Sequence, residues 1–227
     1  MTFVSKIGGS KMEQPKLKFD SEKNLVFLDF ETLNLCLNFQ QNLPWQLGMI
    51  KAKAGKKVDE KNFIIKWDTD LKISKGAAIM TRYDQSNIDN NGIPPEEAFP
   101  TMEDWLENAD FIIGHNIIGF DIYLIKEYYN YMGKDCMHLL PKFIDTNCIA
   151  KGAIMGLEYD PKESFIEYQF RMYHTRKKGV KTNLKQLLKD YEIPFEENRL
   201  HEAIYDLERN LDVWNRLKYY IEDKDGF

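Results

Sequence analysis

The sequence predicts an α/β fold: a mixed five-stranded sheet, an antiparallel meander followed by parallel strands, flanked by helices. Three observations carry it. Short β-former runs at 25–30, 46–53 and 61–67 follow one another with turn material, Ala54, Gly55, Lys56 and Lys57, between the last two, so antiparallel pairing is the simplest arrangement. An almost wholly apolar run at 110–114, a helical run and a further short strand at 143–146 then succeed one another; strand, helix, strand in that order implies a parallel crossover. With 227 residues, 43% of them hydrophobic and 13% aromatic, the chain is long enough to bury one substantial core, and nothing in it forces a second domain.

Taken in order, residues 1–20 read as a loose leader. Several lysines and a Gly-Gly-Ser precede Lys18 without the apolar stretch a signal peptide needs, and Met12 is a candidate start. Residues 21–227 are expected to form the single domain. The first strand, 25–30, is apolar apart from Asp29. Residues 35–43 are mixed and end at Pro44, and 68–100 is a long polar stretch broken by Gly92, Pro94, Pro95 and Pro100. Pro95 could open a helix, and Thr101 is a fair N-cap for a helix over 102–108. After the strand at 110–114, Ile122, Ile125, Tyr128, Tyr129 and Met132 fall on one broad helical face. Asp145, at the end of the fifth strand, is expected to cap the segment that follows.

Residues 158–180 have the weakest pattern. Leu184, Leu187, Leu188 and Tyr191 mark a helix closed by Pro194, and a final helix over 203–221 carries a stripe of Ile204, Leu207, Leu211, Trp214, Leu217 and Ile221. No segment approaches a membrane span. Three cysteines without a C-x-x-C pair, Cys36, Cys136 and Cys148, suggest neither a disulfide framework nor a zinc ribbon and fit a reducing cytoplasm. A net charge of −5 argues against a protein that coats nucleic acid by bulk charge, but leaves room for a local basic rim. The stretch 170–181, basic and aromatic, is either such a strand-guiding patch or a solvated loop.

Chemistry concentrates at the end of the first strand. Asp29 and Glu31 are two residues apart, so in a strand both project from one face. Two anions side by side where a buried strand surfaces repel unless a cation or a proton intervenes, and a divalent metal is the simplest explanation. Asp121 opens the helix after the fourth strand, where the macrodipole favours a negative charge. Asp206 adjoins the buried stripe of the last helix. His201, five residues earlier, would be about 140° away on a helix, but from a preceding loop it could lean over the same site. His115 is expected to buttress a turn, with a lesser claim to touching substrate. His138 and His174 read as ordinary polar residues, and Tyr128, Tyr129 and Tyr131 as packing.

Asp29-x-Glu31 on a first strand, Asp121 at a helix start and His201-x-x-x-x-Asp206 at the C-terminal helix resemble, in order and context, the DnaQ-like (DEDDh) 3'→5' exonucleases of the ribonuclease H-like superfamily, over almost the whole chain. The second motif, His-Asn-x-x-x-Phe-Asp, is one residue longer than in the bacterial proofreading subunit and closer to family B polymerase exonuclease domains. Ala203 and Glu202 occupy the places where the tyrosine branch of the family would carry its tyrosine, which disfavours that branch.

The resemblance implies that Asp29, Glu31 and Asp206 ligate two divalent ions, that Asp121 holds the second ion directly or through water, and that His201 is the general base. It places Thr32 and Leu33 where the family grips the terminal nucleotide and makes His115 and Asn116 further candidate substrate contacts. Four carboxylates and no cysteine cluster select Mg²⁺ or Mn²⁺ over zinc. The expected activity is release of nucleoside 5'-monophosphates from the 3' end of single-stranded nucleic acid, DNA slightly ahead of RNA, with a polymerase or other replication or repair protein as a candidate partner. The alternative is a nucleic-acid-binding module with a degenerate, non-catalytic site.

Overall fold

The structure, a computed structural model, describes residues 16–19, 21–35, 42–160 and 162–222. Its centre is strand β1 (Leu25–Thr32), flanked on one side by β2 (Pro44–Lys53) and then β3 (Lys56–Ile64), and on the other by β4 (Phe111–Gly114) and then β5 (Phe143–Asp145). β1, β2 and β3 pair antiparallel, whereas β1–β4 and β4–β5 are parallel. This is the five-stranded mixed sheet that the sequence predicts.

β1 is apolar on both faces because both are covered. Val26, Leu28 and Phe30 pack with α3 (Pro95–Asn108) and α4 (Asp121–Tyr131). Leu25 and Phe27 face the opposite layer, made by α5 (Thr146–Met155), α6 (Phe165–His174), α7 (Leu184–Asp190) and α8 (Ala203–Leu217). Two short helices, α1 (Lys75–Thr81) and α2 (Gln85–Asn91), precede α3. A third small cluster joins Leu33 and Trp45 to Ile88 of α2.

Several expectations are corrected. The turn after β2 takes only Ala54 and Gly55, both at positive φ (50° and 73°), as a two-residue hairpin requires. β3 therefore starts at Lys56 and ends at Ile64, not at 61–67; its charged, exposed start suits an edge strand and hides its strand character. Thr101 is not an N-cap. Proline fits the first turn, so α3 begins at Pro95 and runs through Thr101 with Pro100 inside it.

The weakly patterned 158–180 contains α6, opened by a capping box in which the Ser164 side chain accepts from Glu167 N–H and the Glu167 side chain accepts from Ser164 N–H. α1, α2 and α5 were not foreseen, although the Asp145 cap was: its side chain accepts from the N–H groups of Asn147 and Cys148 at the start of α5. Most of the expected loose leader, and Cys36, lie outside the described residues. Of the leader's described part, Leu17 and Phe19 are buried in the α8-side core, where the Phe19 ring meets Trp214 edge-on at 4.8 Å. Cys136 and Cys148 are buried free thiols.

Candidate active site

β4 pairs only with Leu25, Val26 and Phe27 of β1, so the last part of β1 runs on past its parallel neighbour. Asp121, the first residue of α4, fills the vacated edge: its Oδ1 accepts the Phe30 N–H at 3.1 Å. Asp29 and Glu31 project to the opposite face, toward α8. That helix lies close to β2 because Gly48 has no side chain; a Cβ there would stand 2.9 Å from Ala203 Cβ and 3.3 Å from Leu207 Cδ1. Asp206, one residue before Leu207, is thereby carried to the end of β1. Its Oδ2 accepts the His201 N–H at 3.0 Å, while Oδ1 is buried without a partner.

His201 sits in the turn before α8, at φ 71° and with an exposed side chain, so it is not forced onto the far side of the helix. A cavity of about 530 Å³ is shared by Asp29, Glu31, Asp206, His115, Asn116 and His201. Asp121 stands behind it, committed to the strand backbone.

Burial, and for Asp29 and Glu31 the neighbouring acids as well, raise the affinity of the four carboxyls for protons. Burial above all, then the charges of Glu31, Asp121 and Asp206, push the Asp29 carboxyl well above its ordinary range. Burial and the neighbouring Asp206 and Asp121 raise Glu31 to about 8. Asp121 rises to about 7 and Asp206 to about 6, in each case through burial, opposed by the backbone N–H each accepts. Such a set favours a counter-cation. Among the described residues no group of three or more His, Cys, Asp or Glu side chains meets the geometry of an assembled metal site as it stands; the acids are gathered without being closed into a cage. The unsatisfied Asp206 Oδ1 and the all-oxygen donor set fit a hard divalent cation.

A family model of RNase T-type exonucleases matches residues 26–214. The chain belongs to the RNase T exonuclease family. Comparison with curated proteins finds no match. Among solved structures, the exonuclease chain superposes on E. coli exonuclease I in complex with a dT13 oligonucleotide with a TM-score of 0.67 at 15% identity, covering 87% of this chain and 41% of that one. An ExoI/SSB-Ct complex gives 0.65 at 14%, covering 87% and 41%. Cell-death related nuclease 4 (CRN-4) gives 0.61 at 14%, covering 88% and 64%. The chain spans less than two thirds of the length of each, and at these identities the likeness concerns the fold.

Within this exonuclease fold the structure brings together Asp29, Glu31, Asp121, Asp206, His201, His115 and Asn116. It does not bring Thr32 and Leu33 to the cavity. Thr32 Oγ1 donates to the Asn34 carbonyl at 2.5 Å, and Leu33 is buried in the third small core. His115 buttresses as expected: Nδ1 lies 3.0 Å from Thr146 Oγ1, and burial lowers its pKa to about 4, leaving a neutral ring near pH 7.

Asn116, at φ 70°, donates its N–H to Asp145 Oδ1 at 3.0 Å. Asp145 itself lies outside the cavity, wholly buried. Asn210 was missed. It lines the cavity one turn beyond Asp206, accepts the Thr146 hydroxyl at 2.7 Å and keeps a buried, unpartnered Nδ2. Its spacing of four from Asp206 was the available signal. Asn183, Leu184, Lys185 and Met80 also border the cavity; nothing in their own pattern distinguished them.

Proposed function

We propose that the chain is a metal-dependent 3'→5' exonuclease that removes nucleoside 5'-monophosphates from single-stranded nucleic acid, with DNA somewhat preferred over RNA. One observation carries the reading: four carboxylates from three separate elements meet at the end of β1 with their proton affinities raised, beside a histidine at the cavity mouth. A chain that only bound nucleic acid would gain nothing from holding like charges together.

Asp29, Glu31 and Asp206 are the proposed ligands of two Mg²⁺ or Mn²⁺ ions, and Asp121 would hold the second directly or through water. Bound there, the ions would supply activation of water and stabilisation of the leaving oxygen. Asp206 has an oxygen to spare for this, since only Oδ2 is engaged by His201. The exposed imidazole of His201 takes the proton of the attacking water. His115, neutral and fixed by Thr146, orients substrate through hydrogen bonds rather than charge. Asn116 offers a second polar contact, and Thr32 and Leu33 would act by shaping the strand end.

The dT13 oligonucleotide held by E. coli exonuclease I supports single-stranded DNA as a substrate, and the ExoI/SSB-Ct complex supports a protein partner; the preference for DNA over RNA, and a polymerase or other replication or repair protein as that partner, are part of the proposal. Residues 21–227 form the proposed catalytic domain, acting in the cytoplasm. Among the described residues no helix is long and apolar enough to cross a membrane.

The test is a time course on 5'-labelled single-stranded DNA and RNA of one sequence with Mg²⁺, Mn²⁺ or chelator. A metal-dependent ladder shortening from the 3' end is expected. Intact oligonucleotides under every metal would move the non-catalytic binding module ahead.

A further inference from the structure

From Arg171 to Lys185 the chain carries six lysines and arginines and no acidic residue, although its net charge is −5. The outer members of this run are neutralised: Arg171 pairs with Glu163, and Lys185 with Glu197. Arg176 folds back to donate to the Tyr173 carbonyl. Lys177, Lys178 and Lys181 are exposed and have no ion-pair partner among the described residues. Three unpaired cations on one loop of an acidic chain are a local field that opposes the charge of the whole.

That loop is anchored at both ends against the catalytic end of the sheet. On its N-terminal side, the Tyr173 ring closes over Gly119, where a Cβ would lie 2.3 Å from Tyr173 Cε2, in the turn leading to Asp121. On its C-terminal side, Thr182 is buried and donates its hydroxyl to Asn147 Oδ1 at 2.8 Å. The next three residues, Asn183, Leu184 and Lys185, line the cavity that holds Asp29, Glu31 and Asp206. In between, Gly179 at φ 86° and the Val180 N–H to Lys177 carbonyl bond at 3.2 Å close a turn. One residue, Thr182, separates Lys181 from Asn183 at the cavity rim, a two-residue step of at most about 7 Å of chain.

We infer that Lys177, Lys178 and Lys181 form the track for the backbone of a single-stranded polynucleotide, engaging phosphates upstream of the one in the cavity. Flexible, unpaired lysines match a phosphate backbone without regard to sequence. The inference rests on the exonuclease reading and names the part of the substrate that the cavity alone cannot hold. These lysines contribute to length preference and leave the chemistry of the terminal bond untouched.

The test compares a dinucleotide, too short to reach the loop, with a 20-nucleotide single strand, using the full chain and the triple variant Lys177→Glu, Lys178→Glu, Lys181→Glu. Expected for the variant is an unchanged kcat/KM on the dinucleotide and a KM raised ~10-fold or more on the long strand. The dependence of log binding on log salt should also flatten by about 2, from three phosphate contacts at ~0.7 each. The triple Lys→Arg variant should keep the wild-type length preference. Equal behaviour on short and long substrates, or an equal loss on both, would overturn the track. If the wild type cleaves nothing, the exonuclease reading has failed; fluorescence anisotropy with labelled oligonucleotides and Ca²⁺ then tests the track alone. Tighter binding of the 20-mer than of the dinucleotide, lost in the Glu variant, sustains it; tighter binding of an acidic peptide than of the 20-mer refutes it.

Discussion

Gly48 stands directly opposite Asp29 across the β1–β2 ladder, and it is the absence of a side chain at Gly48 that lets α8 close over Asp29. A Cβ at this position would meet Ala203 Cβ at 2.9 Å and the Ala203 carbonyl carbon at 3.4 Å. Backbone cannot move aside as a flexible side-chain tip does. Gly48→Val should therefore lift α8, costing about 1–3 kcal/mol of stability by overpacking. Moving Asp206 by even an ångström should cost activity ~10²-fold. Thermal denaturation and exonuclease assays on the same preparation check both; a variant with normal Tm and normal rate would contradict this role.

Asp29→Ala should abolish turnover and leave the fold intact. The substitution removes a charge that burial and three neighbouring acids disfavour, so without divalent ions the variant should melt at or above the wild-type temperature. A large drop in Tm would mean that Asp29 is a structural residue.

The acids also set a pH dependence. Glu31, Asp121 and Asp206 are raised from 4.5, 3.8 and 3.8 to about 8, 7 and 6. Between the ordinary and raised values the folded chain binds more protons than the unfolded one, so stability falls as pH rises. His115, lowered from 6.5 to about 4, acts the other way, but only below its ordinary value. Between pH 6.5 and 8 the acids act alone. In chelator, Tm should fall across that window, and added Mn²⁺ should raise Tm more at pH 8 than at pH 6.5. A flat profile, unresponsive to metal, would count against a cation site.

His201→Ala should leave metal-induced stabilisation in place, because its hydrogen bond to Asp206 is made by the backbone N–H, which alanine keeps. It should slow hydrolysis by ~10²–10⁴-fold, the usual worth of a positioned base. Full activity would move the general-base role elsewhere.

Asp145→Ala should damage the fold and, through it, the site. This buried carboxylate accepts backbone N–H groups from Asn116 at 3.0 Å, Ile118 at 3.1 Å, Asn147 at 2.9 Å and Cys148 at 3.3 Å. Each donor left unsatisfied costs about 1–3 kcal/mol. Loss of amide-exchange protection at Asn116 and Ile118, ahead of global unfolding, would report that the turn leading to Asp121 depends on Asp145. Unchanged protection would contradict it.

Much of this was legible in sequence because the signals are local. Apolar runs mark β1 and β4, and the period of 3.6 marks α8. The spacing of Asp29 and Glu31 puts both on one face of a strand whatever surrounds them, and that of His201 and Asp206 allows a shared site once His201 lies before the helix. β3, α1, α2, α5 and α6 were hidden or blurred because their residues are polar, short in run or defined by caps such as Ser164 and Asp145 rather than by periodicity.

The amino-acid order thus carried the succession of the strands, the last helix and the acids that could meet. How closely those acids meet, and which other residues serve them, came from packing. Gly48 sets the height of α8, the early end of β4 opens the edge that Asp121 fills, and Asn210 and Lys185 reach the cavity. Those facts depend on distances between segments far apart in the chain, and one-dimensional spacing carries no information about them until the core has packed.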